Sequence, residues 1–263
     1  MKIKEIVCAL ERFAPLPLQD GFDNAGLQIG LTDAEATGAL LCLDVTEAVI
    51  DEAIMLGYNL IISHHPLIFR GYKSITGKDY VEQCIMKAIK NDIVIYSAHT
   101  NLDNAPEGVN FKIAEKIGLK NVQVLEVKEQ SCCEEMAGAG VIGELEMPEG
   151  ETEFLKRVKK TFEVGCIKHN KLTGREVQRV AICGGAGAFL IPLAIRQQAD
   201  VFITGEIKYH DYFGHDGEIL LAEIGHYESE QYTKEIFQTI IREMFPGLPV
   251  QATRVNTNPI KYM

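Results

Sequence analysis

The sequence predicts an α/β fold made of two similar lobes, each a mixed sheet flanked by helices. Two observations carry that expectation. Short apolar, β-branched runs alternate with helix-period segments from end to end, the pattern of sheets covered by helices. The second half of the chain then echoes the first. Leu40–Asp44 is a strand leading into a helix, and LGYNLIISHH supplies the next strand. Val180–Gly184 leads into a helix in the same way, and QADVFITGE supplies its next strand, with Asn59 matched by Asp200, Ile62 by Ile203 and Ser63 by Thr204. The following strand in each half runs into a polar signature, His99-x-x-x-Asp103 and His226-x-x-x-Glu230. Two such matches in the same order point to duplicated lobes, although short α/β units resemble one another in any case.

Each element follows from local pattern. At the start, Ile3, Ile6, Val7, Leu10 and Phe13 mark one face of an amphipathic helix. Asp23-Asn24-Ala25-Gly26-Leu27-Gln28-Ile29-Gly30 reads as a turn into an edge strand, with Asp23 or Asn24 available to a site. Further strands are expected at 39–43, 59–63, 93–97, 122–127, 137–146, 177–183, 200–204, 218–223 and 248–254. Helices are expected at 46–56, 79–90, 106–117, 152–162, 189–198 and 226–245. Pro106 suits the first turn of its helix, and Tyr232, Ile236, Ile240 and Met244 form the buried stripe of the last one. The nearest thing to a linker is the polar stretch Lys128–Glu135, so the lobes are placed at 1–127 and 128–263. The C-terminal helix and strand are free to pack back on the first lobe.

Composition excludes several classes of protein. In 263 residues, 46% apolar and 24% charged, there is material for one large domain or two modest ones, each with its own core, and no signature of disorder or collagen. Twenty-six basic against 37 acidic residues leave a net charge of −11, which disfavours nonspecific nucleic-acid binding. The seven cysteines form no C-x-x-C pair, and Cys8, Cys42, Cys84 and Cys183 sit in apolar runs, as free thiols do in a reducing compartment. Neither a signal peptide nor a membrane-spanning run is visible, so a soluble, cytoplasmic protein is expected.

Chemistry concentrates where strands end, the place where open α/β sheets collect ligands. His64 and His65 follow the strand NLII, and Pro66 supplies the turn that lets adjacent side chains share a site. His99 and Asp103 follow the strand IVIYS; alone, Asp103 reads as a helix-capping turn residue. His226 and Glu230, four residues apart, share one helical face, which is equally the pattern of a solvated face. Three imidazoles and two carboxylates without a cysteine suit Zn, Fe, Mn, Ni or Co. Five ligands exceed the three of a single catalytic zinc and suit two divalent ions. His169 lies in a basic surface segment. His210 and His215 either line a cleft or are ordinary loop residues. Cys183-Gly184-Gly185-Ala186-Gly187 is either a phosphate cradle or a tight turn, and it matches neither the dinucleotide nor the P-loop pattern.

DNAGLQIG, ISHHPLIF, HTNLD, ITGEIKYHD and GHYESE, in this order, resemble the NIF-three-like proteins, a dinuclear-metal family of GTP cyclohydrolase 1 type 2 homologues. The likeness runs from about Phe22 to Glu230; Phe22 itself stands where many members carry tryptophan. The resemblance implies metal ligands at His64, His65, Asp103, His226 and Glu230. It also implies a metal site in the cleft between the two lobes, and a toroidal homohexamer. The function expected is metal-dependent hydrolysis of GTP or a related purine nucleotide by ring opening, with His99 and His210 as acid–base residues. A non-catalytic metal-binding scaffold or adaptor and a dinuclear phosphoesterase are the alternatives.

Overall fold

The structure, a computed structural model, describes residues 1–128 and 136–263; apart from Lys128, the linker-like stretch falls outside the described residues. The chain divides into two compact units. One comprises Met1–Ala105 with Thr233–Pro259, the other Pro106–Tyr232 with Ile260–Met263. The first division therefore falls at 105/106, earlier than the 127/128 read from the sequence, because the segment after Pro106 packs with the second sheet.

In the first unit, α1 (Ile3–Phe13) buries Ile3, Ile6, Val7, Ala9 and Leu10. Then come β1 (Gly26–Ile29), β2 (Ala39–Cys42), α2 (Glu47–Leu56), β3 (Leu60–Ser63), α3 (Tyr80–Lys90), β4 (Val94–Ser97) and the single turn α4 (Thr100–Asp103). Thr46 and Asp79 cap α2 and α3 by accepting from Val49 N and Glu82 N, satisfying first-turn amides that have no helical partner. Every residue of β2, β3 and β4 is buried, as expected of parallel strands covered on both faces.

The second unit holds α5 (Val109–Ile117), β5 (Lys120–Val127), β6 (Gly138–Gly150), α6 (Glu151–Thr161), β7 (Lys168–His169), β8 (Glu176–Cys183), α7 (Ile191–Arg196), β9 (Val201–Thr204), β10 (Leu220–Glu223) and α8 (His226–Glu230). Helix α5 starts at Val109 and not at Pro106, since Glu107 takes a left-handed φ of 59° and Gly108 becomes the N-cap. Residues 188–190 form a 3-10 turn before α7, where Pro192 supplies no amide for an α-helical bond.

The chain returns to the first unit with α9 (Thr233–Met244) and β11 (Val250–Ala252). The single helix expected at 226–245 is thus two. Tyr232 is the reason: in the second unit its hydroxyl donates to Thr161 O at 2.9 Å and its ring lies against Phe162. The buried stripe of α9 is Thr233, Ile236, Phe237, Ile240 and Ile241, so Met244 is exposed and Tyr232 lies outside the helix.

The first sheet has the order β1-β4-β3-β2-β11 and the second β5-β6-β8-β9-β10-β7. β2, β3 and β4 are parallel, with β1 antiparallel at the edge; β8, β9 and β10 repeat the arrangement, with β7 as the antiparallel edge. The register repeats as well. Cys42 lies opposite Ser63 and Cys183 opposite Thr204. Ala98 N donates to Ser63 O and Ile224 N to Thr204 O, both at 3.0 Å. From those equivalent bonds His99 is one residue on and His226 two, so the polar signatures are offset by one residue although the strands are not. Among the described residues no helix is long and apolar enough to cross a membrane.

Candidate metal centre

In the first unit, the ends of β3 and β4 are joined by hydroxyls: Ser63 Oγ and Ser97 Oγ lie 2.7 Å apart, and Ser63 Oγ donates to His65 O at 2.9 Å. His64 N and His65 N donate to Cys42 O and Leu43 O, so the chain leaves the strand by bending across the end of β2. That bend brings adjacent histidines to one place, with ring centroids 4.9 Å apart. His99 joins them, its ring 5.3 Å from His64 and 5.4 Å from His65. One ligand atom from each of the three lies within 4.8 Å of the others.

The hydrogen bonds assign the tautomers. His64 is fully buried, and its Nδ1 lies 2.8 Å from Ala98 O, which can only accept. Nδ1 therefore carries a proton, and Nε2 stands 3.6 Å from Asp103 Oδ1. His65 Nδ1 lies 2.7 Å from Asp44 Oδ1, and His99 Nδ1 is 2.7 Å from Asp23 Oδ1. Thr257 Oγ1 donates to Asp44 Oδ2 at 2.8 Å and steadies it.

Asp23 is the support of His99. Its carboxylate accepts from His99 Nδ1, from Thr100 N at 3.0 Å and from Thr100 Oγ1, and so also caps α4 from 77 residues away. Burial pushes its pKa up, but the bonds from His99, Thr100 and the Asn24 amide outweigh that and lower it to about 2.

The second unit repeats the arrangement at the start of α8. His226 Nδ1 lies 2.8 Å from Glu206 Oε1, and its Nε2 is 3.1 Å from Glu230 Oε2. Gly185, at a φ of 59°, is required there, since a Cβ would collide with Glu230 Oε1. The amides of Gly184, Gly185 and Gly187 donate to Asn110 Oδ1, Ser229 Oγ and Thr204 Oγ1 at 2.9–3.0 Å. Those donors are spent on the fold, so the phosphate-cradle reading of this turn gives way to the tight-turn reading.

These residues fit a divalent cation. Each imidazole is fixed through Nδ1 by a carbonyl or carboxylate and presents Nε2, the outer-sphere pattern that orients metal-ligating histidine. Ligand atoms about a tetrahedral cation with bonds of about 2.0–2.1 Å stand about 3.3 Å apart. The His64–Asp103 and His226–Glu230 spacings of 3.6 and 3.1 Å bracket that value.

The remaining sequence candidates lie elsewhere. His210 is exposed on the turn 209–212, clustered with the rings of Tyr209 and Phe213, and belongs to no ligand group among the described residues. His169 sits on β7 with Nδ1 on Asn170 O, and His215 faces Glu218 at 3.4 Å. Asp44 and Glu206 do not stand out in the sequence, and Asp23 reads there as a turn residue that can also reach a site. The available signal is a carboxylate two residues after a buried parallel strand, as in ALLCLD and ITGE.

A sequence profile of Duf34/NIF3 (NGG1p interacting factor 3) matches residues 1–259. The chain belongs to this family. A relative from Lactococcus lactis, named GTP cyclohydrolase 1 type 2 homolog, is 32% identical over 98% of both chains. Among solved structures, a Staphylococcus aureus hypothetical protein aligns with a TM-score of 0.90 at 31% identity, over 100% of this chain and 99% of its own. A Bacillus cereus protein related to NIF3 aligns with a TM-score of 0.89 at 26% identity, over the same shares. The family assignment thus agrees with the resemblance carried by the sequence motifs.

Proposed function

We propose that this protein is a dinuclear metal-dependent hydrolase of purine nucleotides, with ring opening of GTP as its reaction. The observation that carries the reading is the repeated support of imidazole Nδ1 by Ala98 O, Asp44 and Glu206, which orients the rings of His64, His65 and His226 as cation ligands through Nε2. With Asp103 and Glu230 these make five donors, enough for two divalent ions drawn from Zn, Fe, Mn, Ni or Co. Bound ions would supply Lewis acidity and a nucleophile derived from water at neutral pH, which attack at C8 of guanine requires.

The protein's own groups do the rest. Asp103 and Glu230 would each offer a cation two oxygens, whereas each imidazole would offer one nitrogen. His99, its Nδ1 hydrogen held by Asp23, presents Nε2 as the proton acceptor. The relatives' printed name supports the choice of GTP.

Metal-loaded protein incubated with GTP should release formate and a fluorescent pterin. Phosphate or nucleoside without formate would identify a phosphoesterase instead. Full metal occupancy with no turnover of any nucleotide would identify a scaffold. The proposal extends to assembly: a homohexamer near six times 29.2 kDa, which light scattering at micromolar concentration would contradict by finding only monomer.

A further inference from the structure

Two phenylalanines of the first unit are exposed in a way that the fold does not require. Phe22 is 67% exposed and Phe69 44%, with ring centroids 6.4 Å apart and planes at 53°. Phe69 lies edge-on to His99, 6.2 Å away, so a run of rings leads from the histidine cluster to solvent. Exposed loop tips are ordinarily polar and mobile. Here the backbone beside both rings is pinned. Asp20 N donates to Thr100 Oγ1 at 2.8 Å, and Asp23 N to Asp20 O at 3.0 Å, on either side of Phe22. The two loops are also clipped together: Asn24 Nδ2 donates to Ile68 O at 2.6 Å, and Ile68 N to Gln28 Oε1 at 3.2 Å.

We infer that Phe22 and Phe69 form the stacking platform for the base of a purine nucleotide; this rests on the hydrolase reading above and names how its substrate is held. A planar heterocycle stacked on one phenyl face meets the edge of the other, the offset and edge-to-face geometries that aromatic rings prefer. Charge agrees with a nucleotide occupant. Residues 70–78, directly after Phe69, carry Arg70, Lys73 and Lys78 and no acidic residue, in a chain of net charge −11. Arg70 and Lys73 are exposed, suited to the phosphates of the nucleotide whose base lies on Phe69.

The chain has no tryptophan, so Phe22→Trp installs a single indole on the platform. Titrating that metal-loaded protein with guanosine should quench its fluorescence saturably, while ribose 5-phosphate should not. By calorimetry on otherwise wild-type protein, Phe22→Ala or Phe69→Ala should raise the guanosine Kd about tenfold, which corresponds to about 1.4 kcal/mol. Arg70→Gln should weaken GMP more than guanosine. Guanosine binding unchanged in both alanine variants, or no binding to the wild type, overturns the platform. A change of solution mass in Phe22→Ala overturns it too, because the ring would then be a subunit contact. The two readings fail separately. Saturable quenching without turnover keeps the platform and removes the hydrolase; turnover of GTP with KM unchanged in Phe22→Ala and Phe69→Ala does the reverse.

Discussion

Asp23→Asn tests whether the site is held from outside its own ligands. The asparagine oxygen still accepts from Thr100, but its NH2 cannot accept from His99 Nδ1. Lowering the carboxyl from 3.8 to about 2 is worth about 2 kcal/mol. A folded-state pKa below the unfolded value stabilises above about pH 4, and the contribution is lost as the pH falls through about 2. The variant should therefore be less stable at pH 7 by about 2 kcal/mol, a Tm lower by roughly 4–8 °C. Its deficit should shrink as the pH falls from about 4 toward 2. Urea denaturation at pH 7, 5 and 3 measures this. Nitrogen NMR of the His99 ring should show the proton moving from Nδ1 to Nε2, since the asparagine amide donates where the carboxylate accepted. A deficit of equal size at pH 7 and pH 3, or an unchanged His99 tautomer, would refute the reasoning.

Three further outcomes are expected. Elemental analysis should find metal reduced at both positions in Asp103→Ala and in Glu230→Ala, mainly at one in His64→Ala, and unchanged in His169→Ala; two ions persisting in both carboxylate variants would show that neither bridges. Gly185→Ala should cost at least about 1 kcal/mol of backbone strain and also displace Glu230, lowering metal content. Gly174→Ala, at a φ of 78° with open space around it, should carry the strain alone and retain the metal. In native protein a thiol reagent followed by mass mapping should modify the exposed Cys8 and Cys166 well before Cys42, Cys84 and Cys183. Burial pushes the Cys84 thiol up to about 11 and Cys42 higher still, so rapid labelling of either would mean that the first core opens readily.

Local sequence sufficed for elements whose cause is local. Four-residue apolar runs such as LIIS and VFIT are buried parallel strands because both faces of the sheet are covered. The same runs placed His64, His65, His99 and His226 at or just beyond strand ends, and the motifs around them placed the chain in its family. What the sequence left open depended on partners distant along the chain. Asp23 read as a turn residue because nothing near it says that Thr100 and His99 will be its partners. Asp44 and Glu206 gained meaning only when β2 and β9 brought them beside His65 and His226. The glycine turn at 184–187 has the composition of a phosphate loop, and only tertiary packing assigns its amides to Asn110, Ser229 and Thr204. The apolar period across 226–245 did not show the break at Tyr232, whose hydroxyl finds Thr161 some 71 residues away. Periodicity encodes which side of an element is buried; which donor meets which acceptor is decided when remote segments close on one another, and that closure has no period to read.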